Sequence, residues 1–229
     1  MSFFKRGELK LLWPFYAEKL IALLFALFPA FYVIYFIDVG FSLTQIGVLI
    51  SAQALAMLLF EVPTGAVADL FGRKLSTILG NAILALSLIF MYIFQDYYVL
   101  VGLFFLMGIA WTLISGASDA WVVDLVKYKR KNELVGEYYV KKQSFMNISL
   151  FLSGILGALL VKWFGLAIIF PVTAFERILA IGFLSFGEEH FVRRKAKVKE
   201  HFVELFRNTK NAVKYSAKHK VISYLMMIT

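Results

Sequence analysis

Apolar residues in this chain gather into runs of about 18–22 with few charges among them, the length of a helix that crosses a bilayer. Dispersed along 229 residues, many of them could have been hidden in a soluble core. Clustering removes that escape. The chain is 61% hydrophobic and 17% charged, where soluble domains run near 45–50% and 25%. A soluble globular enzyme is therefore excluded, and the fold class read from the sequence is an all-α membrane bundle.

Six spans follow from the runs: about Leu12–Ile37, Gln45–Ala68, Leu75–Phe94, Tyr97–Leu125, Val135–Val161 and Leu166–Phe186. Ser42 and Gln45 precede the second at capping-box spacing, in which each side chain satisfies a first-turn amide. The basic N-terminus leads into an apolar stretch too long for a signal peptide and without a small-residue cleavage site. With the N-terminus placed in the cytoplasm, 21 of the 24 Lys and Arg residues fall inside and Lys162 alone falls outside, while Lys19 and Arg177 lie within spans. This positive-inside pattern predicts a multi-pass protein of the cell membrane, with its N-terminus and the tail after the sixth span cytoplasmic. It also accounts for the net charge of +9 without a nucleic-acid partner.

Composition divides the chain into a six-helix bundle over 1–190, a basic linker over 191–220 and an apolar stretch over 221–229. In the linker, Val198, Phe202, Leu205, Phe206 and Val213 recur at helical spacing among Lys and Arg. That pattern fits a cytoplasmic amphipathic helix lying on an anionic leaflet. The final nine residues are too few to cross a bilayer; they are either a small anchor or the start of a seventh helix. Cysteine is absent, which removes disulfides and thiolate chemistry. His190, His201 and His219 all fall in the polar C-terminal stretch at spacings that fit no metal motif. No metal and no cofactor is expected.

Between the second and third spans, residues 65–74 read Gly-Ala-Val-Ala-Asp-Leu-Phe-Gly-Arg-Lys. Gly65 leaves room for another helix to approach the second span closely. Asp69 and Arg73 are four apart at a helix-to-loop junction, and Asp124 closes the fourth span on the same side, so one guanidinium can reach two carboxylates. Upstream stand Glu61, Pro63 and Gly65; later come Ser115, Gly116, Asp119 and Asp124. The set resembles the cytoplasmic signature of the major facilitator superfamily, and with the spacing of the spans the likeness covers essentially the whole chain.

That resemblance implies the N-terminal half of a transporter, built of two inverted three-helix repeats, with substrate bound near the midplane against a second half. It implies that Gly65, Asp69, Gly72, Arg73, Lys74 and Asp124 form a cytoplasmic gate. Within it, Asp69, Arg73 and Asp124 would carry a latch that favours the outward-facing state. Leu70 departs from the family pattern, where a basic residue is common, and implies a weaker latch. In the fifth span, Ser153, Gly154, Gly157 and Ala158 make a small-residue stripe suited to close packing. Ala158 stands where family antiporters carry a proline, which counts against an exchange mechanism.

An ionised group at the centre of a span costs about 2.5–3.5 kcal/mol, so such groups face a cavity or a partner. Glu18, Lys19, Glu61, Asp119, Glu176 and Arg177 are in that position. Glu176 and Arg177 project about 100° apart, so they are expected not to pair, Arg177 reaching a carboxylate on another helix instead. Glu18, Glu61, Asp119, Glu176 and Arg177 form the candidate cavity for substrate or a coupling proton; the competing reading is buried pairs that fix helix packing. Pro63 frees the carbonyl of Leu59, either as a bend used in switching or as a tolerated proline. Trp13, Trp163, Tyr97 and Tyr98 fall at span ends, as an interfacial belt requires.

The function expected is secondary transport of a small solute by alternating access, with drug or metabolite export implied by the resemblance alone and coupling to protons left open. Its partners are the lipid bilayer and a second six-helix half, either the missing C-terminal half of a truncated chain or another polypeptide. A non-transporting membrane scaffold or assembly protein is the rival. The sequence holds no phosphate-cradling loop with a lysine and no nucleophile–base arrangement, so neither ATP-driven transport nor an enzyme is expected.

Overall fold

A computed structural model describes residues 3–190, and every regular element in them is helical. The basic linker, the terminal apolar stretch, His201 and His219 lie outside the described residues. Helices α1 (Glu8–Phe25) and α2 (Leu27–Asp38) make up the first span, parted at Ala26. Pro29 explains the break, since it has no amide to offer the Phe25 carbonyl and its ring crowds that oxygen. The other spans are α3 (Leu43–Phe71), α4 (Arg73–Ile93), α5 (Tyr97–Tyr128), α6 (Glu133–Phe164) and α7 (Ile169–Ser185), the last entered through a 3-10 turn at Leu166–Ile168. Six segments of the described residues are thus long and apolar enough to cross a membrane.

Several span ends lie further out than the hydropathy pattern predicts. The first starts at Glu8 rather than Leu12, and the fifth at Glu133 rather than Val135. At the first of these ends the polar residue is partnered and so need not sit in water. Glu8 is fully buried and accepts from the Tyr16 hydroxyl at 2.6 Å and the Lys141 ammonium at 2.7 Å. The capping box ahead of α3 is present, with the Gln45 amide donating to Ser42 Oγ at 3.2 Å and the Ser42 amide to Gln45 Oε1 at 2.9 Å. Helix α3 runs on through Pro63. Beside the proline, the Thr64 hydroxyl donates to the carbonyls of Phe60 at 2.7 Å and Glu61 at 3.2 Å, and not to the Leu59 carbonyl that the proline frees.

In the bundle α5 packs against α3 and α4, α4 meets α7, and α6 and α7 flank α1. Close crossings rely on two glycines. A Cβ on Gly108 would collide with the Gln53 carbonyl of α3, and one on Gly80 would lie 2.7 Å from the Ala110 carbonyl of α5. Gly65, expected to play that role, does not: nothing described lies within 4 Å of the place its Cβ would occupy. Gly65 opens a cleft instead. On α6 the small-residue stripe is used only in part, with Gly157 fitted against Phe31 and Gly154 facing open space.

Two apolar cores lie at opposite ends. One gathers Phe28, Tyr35, Phe36, Leu88, Phe104 and Phe170 beside the α2–α3 and α4–α5 turns. The other gathers Leu12, Phe15, Tyr16, Trp121, Leu134 and Tyr138 beside the α3–α4 and α5–α6 turns. The second end carries most of the described lysines and arginines and is called the basic end below; the first is the aromatic end.

Candidate functional site

Gly72 alone separates α3 from α4. Its φ of 105° is one that residues with a side chain avoid, so glycine is what permits so abrupt a reversal. The turn puts Asp69 in the last turn of α3 and Arg73 at the first position of α4. From there Arg73 Nη1 reaches Asp124 Oδ2, near the end of α5, at 2.9 Å, with side chains 27% and 50% exposed. Two of the three residues expected to form a latch thus make a bridge within reach of water, and Asp69 lines a cleft that Arg73 shares. This cleft, 180 Å³ in volume, lies between α3 and α5 and is also lined by Glu61, Thr64, Gly65 and Ser115.

Lys74 does more than set topology. Its backbone amide donates to Glu189 Oε1 at 2.9 Å, placing a carboxylate at the N-terminus of α4, where free amides and the helix dipole favour negative charge. Its ammonium donates to the carbonyls of Ser185 at 2.7 Å and Gly187 at 2.9 Å, closing off the C-terminus of α7 as a basic side chain does. The indole of Trp121 donates to the Glu188 carbonyl at 2.9 Å, and Glu188 pairs with Lys129 at 2.6 Å. His190 stacks on Tyr128 at 3.6 Å. The segment after α7 is therefore strapped across the α3–α4 turn. Lys129 holds the Glu188 carboxyl below the usual carboxylate range through their hydrogen bond, and Glu188 in turn raises the Lys129 ammonium.

Sequence reasoning missed this strap. Its one visible signal was an acidic pair, Glu188 and Glu189, directly after a span at an end otherwise dominated by bases.

The five residues expected to line one cavity fall in several places. Glu61 joins the cleft at the gate. Asp119 accepts from Lys142 of α6 at 2.6 and 2.7 Å. Glu18 pairs with its neighbour Lys19 at 2.8 Å. Glu176 and Arg177, expected not to pair, do so: Arg177 Nη2 donates to Glu176 Oε1 at 2.6 Å, and Nε donates to Oε2. Their Cβ directions diverge, but the long arginine stem curls back, and with both residues buried the nearest carboxylate is the strongest acceptor in reach.

Nor, among the described residues, does Arg177 reach a carboxylate on another helix. Its Nη1 donates to Asn81 Oδ1 of α4 at 2.9 Å, and its guanidinium sits 4.3 Å from the ring centre of Phe25. Asn81 completes the network by donating to the Thr77 carbonyl at 2.8 Å. Glu18 and Lys19 lie within electrostatic reach of Glu176, so charged groups of α1 and α7 and the Asn81 amide of α4 share one polar layer. Nearby, the Tyr138 hydroxyl is the one buried side-chain polar atom among the described residues without a hydrogen-bond partner.

No group of three or more metal-ligating side chains is present among the described residues. The profile of the Major Facilitator Superfamily matches residues 19–228. No curated protein matches the chain.

Proposed function

The chain belongs to the major facilitator superfamily, whose members are membrane transporters, and on that premise we propose that it moves a small solute by alternating access, with Arg73, Asp124 and Asp69 as the latch of its basic end. One observation carries this reading. Glu61 is exposed on a span, in a polar cleft that continues to the Arg73–Asp124 bridge. A carboxylate there does not face lipid, because an ionised group in a span needs water or a polar partner. The cleft is thus the wall of an aqueous path, and the bridge beside it is weak enough to be broken and remade: exposed pairs contribute about 0–1 kcal/mol.

The wall needs an opposite side. Only 17% of the apolar windows of α3 and α6 is buried, against 50% for α4 and α5. Gln143, Ser144 and Asn147 are exposed on α6 as well, a polar row suited to a second six-helix half, from this polypeptide or another. The basic end is cytoplasmic, in keeping with the positive-inside rule.

Reconstitution into vesicles, with flux of a panel of small metabolites and drugs followed with and without a proton gradient, tests the proposal. Flux is expected for at least one solute when both halves are supplied. Arg73→Ala is expected to slow it at least about tenfold, and the swap of Arg73 and Asp124 to recover part of it. Wild-type flux in Arg73→Ala would remove the latch from the mechanism, and no flux with any solute would remove transport.

A further inference from the structure

Beside the gate, a pocket of 200 Å³ opens between the start of α1 and the α5–α6 turn, lined by Gly7, Lys10, Leu11, Lys129, Lys131 and Glu188. Glu188 is engaged by Lys129 at 2.6 Å and also feels the charge of Lys10. Lys10 and Lys131 make no ion pair among the described residues, so the pocket keeps a positive excess. Its shape is built in. Gly7, with φ 74°, turns the chain into α1, and a Cβ there would lie 2.9 Å from the Lys131 ammonium. Arg130, the one non-glycine residue with positive φ among those described, turns the chain out of α5 so that Lys129 and Lys131 both reach the pocket.

On the bilayer side of the lysines stands an apolar shelf. Trp13 lies three residues beyond Lys10, on the same face of α1, and is 40% exposed; Phe186, 71% exposed, has its ring centre 5.7 Å from that of Trp13. Ammonium groups beside exposed aromatics at the end of a span match a molecule that is anionic at one end and apolar at the other. We propose that this pocket binds the phosphate of an anionic phospholipid, with Lys10 and Lys131 holding the phosphate oxygens and Trp13 and Phe186 meeting the acyl chains. A free phosphate could use the lysines, but it would leave the shelf without a role.

The test uses the full chain in uncharged detergent, titrated with phosphatidylglycerol, phosphatidylcholine or inorganic phosphate, with bound lipid counted by native mass spectrometry. Phosphatidylglycerol is expected to fill one saturable site that phosphatidylcholine does not fill and that millimolar inorganic phosphate does not block. The double variant Lys10→Gln/Lys131→Gln is expected to weaken that site about thirtyfold, and Lys10→Arg/Lys131→Arg to retain it, which separates loss of charge from loss of fold. Lys127→Gln, exposed at the basic end but not among the residues lining the pocket, is expected to leave it intact. Wild-type binding in the Lys10→Gln/Lys131→Gln variant, or loss of the site only in the Lys127→Gln variant, would overturn the proposal. Equal occupancy by phosphatidylcholine, or block by inorganic phosphate, would overturn the assignment to an anionic lipid.

Discussion

At the aromatic end, Phe28, Phe36, Phe104 and Phe170 meet ring to ring with centroids 5.9 to 6.2 Å apart; at the basic end, Lys5, Arg73, Lys129 and Lys141 each meet a carboxylate. Ring packing is dry, short-ranged and lost all at once when helices part. A half-exposed ion pair gives up little, because water takes the place of the partner. Under the alternating access proposed above, the contrast locates the change of shape: the aromatic end would hold its helices as one body, while the basic end has contacts that water can replace. The basic end is not uniform, however. The Lys141–Glu8 bridge is buried and belongs with the permanent contacts, whereas Arg73–Asp124 does not.

That division can be broken most severely from the inside. Lys141→Met would strand the buried Glu8 carboxylate and Arg177→Leu the buried Glu176 carboxylate, each at a cost of about 3–5 kcal/mol. Thermal unfolding in detergent would read the loss, and a shift no larger than that of a surface variant would show that these pairs do not hold the helices. Phe104→Ala is expected to cost about 3 kcal/mol by opening a cavity in the aromatic core. If it proved milder than the loss of an exposed ion pair, the contrast between the ends would fail. Asp124→Asn should behave in the opposite way, changing stability by at most about 1 kcal/mol while slowing flux at least about tenfold.

The smallest expected effect belongs to the strap. Glu188 is held below its usual range by Lys129, so its contribution is complete above the ordinary carboxylate range and fades as pH falls through the lowered value. Lys129, raised by Glu188, loses its share only as pH rises through its own raised value. Wild-type stability should therefore fall more than that of Glu188→Gln on acidification and match it in slope near neutrality. Identical acid profiles would show that the pair contributes nothing to the strap.

The spans and the α3 cap were legible because they depend on neighbours in sequence: a long apolar run, or Ser42 three residues before Gln45. The contact between Arg73 and Asp124 was legible from their shared end of the bundle. What stayed hidden depends on partners distant in sequence. Glu8 bonds Lys141 across 133 residues and Lys74 bonds Glu189 across 115, and no local pattern announces either. Lys141 and Lys142 read as topology-setting charges, yet they tie α6 to α1 and α5. Glu176 and Arg177 were misread for another reason: backbone projection fixes Cβ, and a guanidinium on a four-bond stem is free to return toward its neighbour. Gly65 shows the same limit, since a missing side chain serves a close approach and an open cleft equally well.

Six crossings with the basic end on the cytoplasmic side underlie the proposed latch, and the absence of cysteine provides a clean background for testing them. Single variants Lys127→Cys at the basic end and Asp38→Cys at the aromatic end, both at exposed positions, would be treated with a membrane-impermeant maleimide in intact cells and again after permeabilisation. The prediction is labelling of Asp38→Cys in intact cells and of Lys127→Cys only after permeabilisation. The reverse order, or labelling of both in intact cells, would contradict it.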